Sequence, residues 1–171
     1  MNKQAALGLW DMQRQRHGIT IRAVEAIPAE RLTSTLVPGM RSPLEIAIHL
    51  STLTKACAES LATGELPYEA DAEVLKSVTN RDQLVTYMKE CWAASQQAVD
   101  ACTDAQLMSL VKTPWGSSFP GFVMLSIACD EVLHHRGQLY TFVRLCGIEP
   151  PMVWDFEHNA PEFQPKVHAQ G

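Results

Sequence analysis

Apolar residues recur at three- and four-residue intervals through four stretches of the chain, and this period predicts four amphipathic helices. The first runs from about Lys3 to Ile27, with Leu7, Trp10, Arg14, His17, Ile21 and Val24 on one stripe, and Pro28 ends it. His17 reads as a hydrogen-bonded residue at the edge of that stripe. After a loop containing Pro38-Gly39, the second helix starts at Ser42-Pro43-Leu44-Glu45, where Ser42 can cap, Pro43 fits the first turn and Glu45 completes a capping box. Its stripe is Ile46, His49, Leu50, Leu53, Cys57 and Leu61, closed by Gly64 and Pro67. Asn80 caps a third helix whose stripe is Leu84, Met88, Cys91, Ser95, Ala98 and Cys102. The fourth spans about Phe119 to Cys146 and stops at Gly147, with Pro150-Pro151 beyond.

No stretch shows the alternation of a half-buried strand, so the predicted fold is all-α: a four-helix bundle in one domain, residues 1–171. A long, acidic and irregular connection, Glu65 to Val78, joins the second and third helices. Residues 103–118 read as a turn-rich loop around Pro114-Trp115-Gly116, able either to carry substrate contacts or merely to connect. Residues 148–171, with Trp154, Phe156 and Phe163 among prolines, read as a tail packed over the bundle.

Composition narrows the function classes. With a formal net charge of −5 and no cluster of Lys and Arg, the chain lacks what phosphate contact demands, so no nucleic-acid partner is expected. No apolar run approaches the roughly 20 residues of a membrane span. The start, Met-Asn-Lys-Gln-Ala-Ala, lacks a signal peptide's apolar block, so a cytoplasmic location is expected. Five cysteines with no CxxC pair, set among apolar neighbours, read as reduced core thiols.

Polar groups interrupt the stripe of the fourth helix. Ile127, Glu131, His134, His135, Gln138 and Phe142 recur at helical spacing, and charge or imidazole on a core-facing stripe is costly unless paired or bound to a metal. Glu131 and His135, four apart, can reach one ion, and His49 on the second helix supplies a third donor. Two imidazoles and a carboxylate leave positions open for water or substrate and suit zinc or nickel best, with iron or manganese also compatible. The same residues can equally form a solvated face in which Glu131 pairs with an imidazole or with Arg136. His134, rotated about 100° from His135, points beside such a centre rather than into it. Gly137, costly inside a helix, suggests close packing by a neighbouring group. Gln138 can hydrogen-bond a ligand or a loop.

His134-His135-Arg136-Gly137-Gln138, followed by Leu145-Cys146-Gly147-Ile148-Glu149-Pro150-Pro151, resembles the C-terminal signature of the DinB/YfiT-like superfamily. Trp10-Asp11, Ile27-Pro28-Ala29-Glu30-Arg31-Leu32, His49 and Thr113-Pro114-Trp115-Gly116 look like that family's layout in order. The resemblance implies a metal-dependent bundle, often dimeric, whose site usually has one histidine on the second helix and two, four apart, on the last. His49 and His135 match two of these, and Glu131 stands where the family usually has the third. Family members include thiol transferases that use bacillithiol, and related bundles use mycothiol or glutathione. The implied function is therefore a thiol-dependent S-transferase that activates a low-molecular-weight thiol at a divalent metal and acts on a small molecule. His134 would carry protons, Arg136 or Gln138 would orient the thiol cofactor, and the protein would be a homodimer. A metal-dependent hydrolase and a non-catalytic, stress-related bundle that binds metal or a small molecule are the alternatives.

Overall fold

The computed structural model describes residues 1–67 and 71–166, so part of the second connection (68–70) and the last five residues of the tail lie outside it. Helix α1 (Lys3–Ala26) starts at Asn2, whose side chain accepts from the Ala5 amide, and gives way to extended backbone at Ile27, before Pro28. Helix α2 (Pro43–Thr63) has the expected capping box: the Ser42 amide donates to Glu45 at 2.7 Å and the Glu45 amide to Ser42 Oγ at 3.4 Å. It ends at Gly64, whose φ of 73° is the left-handed conformation that glycine adopts without strain. A single turn, α3 (Asp71–Val74), follows, and then α4 (Arg81–Ala101), capped by Asn80. A short α5 (Asp104–Met108) precedes α6 (Gly121–Leu145).

The four long helices form the bundle. Helix α2 packs on α4 and α6, and α1 packs on the same two, so α1/α2 and α4/α6 lie on the diagonals. Trp10, Ile19, Ile46, Leu50, Leu84, Met88, Met124, Leu125 and Leu139 fill the centre with no exposure. Each stabilises the fold by about 1.5–3 kcal/mol relative to an exposed side chain. Among the described residues, no helix is long and apolar enough to cross a membrane.

Three expectations need correction. Residues 103–118 are not simply a loop: Thr103 and Gln106 form a capping box that starts α5, and Leu110–Lys112 (β1) pairs antiparallel with Ser118–Pro120 (β2). Strands of three residues, with Val111 the buried one in β1, are too short to show alternation in a sequence. They also move the start of the last helix from Phe119 to Gly121. Second, His17 is wholly buried rather than at an edge; its Nε2–H donates to the Met88 carbonyl at 3.2 Å and its ring lies against Trp92 and Phe163. The tail covers the edge that the bundle alone would leave. Third, among the described residues no neighbouring group lies within 4 Å of a Cβ built on Gly137; the tight glycine of α6 is Gly121, where a Cβ would stand 2.6 Å from the Gln106 carbonyl oxygen.

The tail is anchored by Phe163, buried, and by Asn159, whose amide donates to the carbonyls of Gln15 and Phe163. A Cβ on Gly18 would lie 2.6 Å from both the Asn159 amide nitrogen and Phe163 Cβ. Gly18→Ala is therefore expected to destabilise the protein by about 2 kcal/mol, because neither neighbour can yield without losing its bonds or its burial. Urea denaturation checks this, and unchanged stability would show that the tail is not docked there. None of the five cysteines is in a disulfide, and four of them are buried.

Candidate metal centre

The packing of α2 on α6 brings His49 to Glu131 and His135, one helical turn apart. One ligand atom from each lies within 4.8 Å of the others. His135 Nε2 stands 3.2 Å from Glu131 Oε2, and the two imidazoles meet edge to face at 5.2 Å between centroids. Donors 2.0–2.2 Å from a shared ion stand about 3–4 Å apart, so small side-chain rotations close the trio on one.

Hydrogen bonds on the far side of each ring fix which nitrogen is available. His49 Nδ1–H donates to Asp71 Oδ2 at 2.8 Å, which leaves the lone pair on Nε2. His135 Nδ1–H donates to Gln138 Oε1 at 2.9 Å, and the Gln138 amide donates to His134 Nε2 at 3.2 Å. His135 Nε2 then faces the Glu131 carboxylate as acceptor against acceptor, an arrangement that calls for a proton or a cation between them. Burial lowers the His135 pKa below the usual imidazole value, and the neighbouring His49 and His134 push the same way, against the Gln138 bond and Glu131. A proton is thus disfavoured there, and the donor set fits a divalent ion.

A cavity of about 330 Å³ opens beside the trio, with His49, Glu131, Arg41, Asp71, Leu53 and Trp115 in its lining. Cys57 lies near Glu131, but burial, reinforced by Glu131 and Cys129, pushes its thiol up to about 12. Cys129 is likewise raised to about 11, chiefly by burial. Burial thus keeps both thiols protonated near neutrality in the metal-free protein.

The structure thus brings together His49, Glu131 and His135, with Gln138 behind His135 and exposed His134 at the outer end of the link. It does not bring Arg136 to them: that guanidinium lies 6.0 Å from the Tyr140 ring centroid, with Nη1 buried and unpaired among the described residues. Gln138 spends both ends of its amide within the protein. Sequence reasoning missed Asp71 and Arg41; of the two readings left open for the Trp115 loop, Trp115 is found in the lining of the cavity. A ligand histidine needs an acceptor for its other nitrogen, but nothing in an irregular acidic segment marks which acid supplies it.

A model of the DinB family matches residues 1–166. No curated protein matches the chain. Among solved structures, a DinB-like protein from Bacillus cereus ATCC 10987 is 20% identical, with a TM-score of 0.71 over 86% of this chain and 96% of that one. A DinB-like protein from Bacillus subtilis is also 20% identical, with a TM-score of 0.65 over 81% of this chain and 92% of that one. The mycothiol-dependent maleylpyruvate isomerase is 17% identical at a TM-score of 0.65; the match covers 81% of this chain but 61% of the isomerase. These likenesses show a common bundle.

Proposed function

Because this chain belongs to the DinB family and gathers two imidazoles and a carboxylate beside a cavity, we propose that it is a metal-dependent enzyme transferring a low-molecular-weight thiol to an electrophile. The observation that carries this reading is the opposed pair, His135 Nε2 and Glu131 Oε2 at 3.2 Å, with His49 beside it. His49, Glu131 and His135 would hold zinc or nickel and leave positions open. Bound there, such an ion would supply Lewis-acid chemistry that lowers the pKa of a thiol and favours its nucleophilic form at neutral pH. The name of the isomerase neighbour, which states a dependence on mycothiol, supports a thiol rather than water as nucleophile.

The chain's own residues do the rest. Asp71 and Gln138 hold the two Nδ1–H groups, which keeps each Nε2 lone pair available. To His134, exposed and with its ring 4.8 Å from that of His135, we assign proton exchange with water, while Gln138 holds its Nε2. Arg136 and Gln138 reach a cofactor's carboxylate or amide only by leaving their present contacts. The same reading makes the protein a cytoplasmic homodimer that acts on a small molecule.

Asp71→Ala is expected to weaken metal binding about 10-fold, since it frees the His49 ring to turn and to change tautomer. Competition against a chromophoric chelator measures this, and unaltered affinity would remove Asp71 from the centre.

The test of the function is elemental mass spectrometry on untagged protein, followed by conjugation of bacillithiol, mycothiol or glutathione to monochlorobimane. About one zinc or nickel per chain, with turnover of one thiol that is lost on chelation, is expected. Failure to bind either metal after reconstitution, or metal without turnover of any thiol, would overturn the reading. Ester hydrolysis without thiol would replace it with metal-dependent hydrolysis.

A further inference from the structure

Among the described residues lining the cavity beside His49 and Glu131, the one cation is Arg41 and the one broad aromatic surface is Trp115. Arg41 immediately precedes the Ser42 cap of α2, and its side chain is 47% exposed. Its ion pair with Asp71 spans 4.0 Å, longer than a hydrogen bond, and the same Asp71 oxygen already accepts from His49 at 2.8 Å. The guanidinium therefore stands two contacts from His49 with its donors largely unspent among the described residues.

The rest of the wall asks for an apolar body. Leu53, Ala56, Leu66 and Pro67 line it, and the hydroxyl of Thr52, the remaining neutral polar group, is already bonded to Tyr87. Trp115 is 58% exposed at the tip of the turn between β1 and β2, where its indole is open to a ligand face. Asp71 and Glu131 carry two negative charges there, and Arg41 one positive. With a divalent ion in the trio, the balance becomes positive, which favours an anion. A volume of about 330 Å³ is at the lower end for ligand sites, which suits a small molecule rather than an entire thiol cofactor.

We propose that this cavity binds a small organic acid, its carboxylate on Arg41 and its flat or branched apolar body against Trp115 and Leu66. A planar guanidinium matches a carboxylate with two parallel hydrogen bonds, which a neutral isostere cannot accept as charge-assisted bonds. The assignment deepens the function proposed above and rests on it: the acid is the electrophilic substrate, lying beside the thiol-binding ion.

The test is a ¹⁹F NMR titration of zinc-loaded protein with 4-fluorobenzoate, and with 4-fluorobenzamide as the neutral comparator of the same shape. The acid is expected to bind at least about 10-fold more tightly than the amide, as expected for a charge-assisted pair. Arg41→Gln should erase that difference, and Trp115→Ala should weaken both ligands alike. Both substitutions are at exposed positions, so circular dichroism should show an unchanged fold. Equal binding of acid and amide to wild type, or full affinity in Arg41→Gln, would overturn the proposal. Benzoate binding that vanishes on zinc removal but survives Arg41→Gln would place the carboxylate on the ion and also overturn it. Arg41-dependent binding that persists in a protein unable to hold zinc would uphold the carboxylate site while the metal reading fails. Glutathione should bind alongside 4-fluorobenzoate; competitive displacement, with none by cysteamine, would give Arg41 to the thiol's own carboxylate and overturn the substrate assignment.

Discussion

Alanine at His135 is expected to lower zinc or nickel affinity on the order of 100- to 1,000-fold. A structural zinc site with four ligands binds with about 10–16 kcal/mol, so one donor is worth roughly 3–4 kcal/mol, or two to three decades. His135 is also the residue through which the centre is connected: Nε2 faces Glu131 at 3.2 Å, and Nδ1 is held by Gln138. His49→Ala and Glu131→Ala are expected to fall in the same range, since each supplies one of three donors within 4.8 Å. His134→Ala is expected to retain the ion, because His134 is exposed and reaches His135 only through Gln138. Elemental analysis after dialysis against a weak chelator checks the series. Equal metal content in wild type and Glu131→Ala would remove the carboxylate from the centre. Protonation of His135 should compete with the ion only below the usual imidazole pKa of about 6.5, since burial makes this ring hard to protonate.

The second large effect is on stability and arises in the core between α1 and α4. His17 is fully buried, and burial lowers its pKa to about 4, offset slightly by its bond to the Met88 carbonyl. The unfolded chain takes up a proton at this residue near pH 6.5, whereas the folded chain does so only near pH 4. Between those values the unfolded state binds more protons, so acidification favours unfolding. The contribution is fully present above pH 6.5 and is lost as pH falls toward 4, for a total of about 3 kcal/mol. His17→Gln, which keeps a donor for Met88 and does not titrate, should flatten the slope. Urea denaturation at pH 7, 6 and 5 on both proteins measures it, and parallel slopes would sink the assignment. Carboxylates whose pKa values are lowered, such as Asp11, Glu45 and Glu162, keep their stabilising contribution at these pH values and lose it only below about pH 5.

His17 also shows where pattern reading stops. Its place on the stripe of Leu7, Trp10 and Ile21 was evident from spacing, but its full burial depends on Phe163, almost 150 residues later, closing over it. The buried polar atoms around it, His17 Nδ1, Trp10 Nε1 and both amide atoms of Gln13, have no partner among the described residues.

The long helices and the candidate ligands on them were determined locally. Ser42 and Glu45 make their reciprocal bonds within one turn, Gly64 closes α2 by its own φ, and Glu131 and His135 share a face because a helix turns every 3.6 residues. Only the tertiary structure decided that His49 meets them, that Asp71 rather than another acid holds its Nδ1, and that Arg41 and Trp115 border one cavity. The physical reason is range: helix period and capping act over three or four residues and leave a trace in spacing. Packing angles and loop paths depend on contacts between residues tens of positions apart, and no local pattern records them.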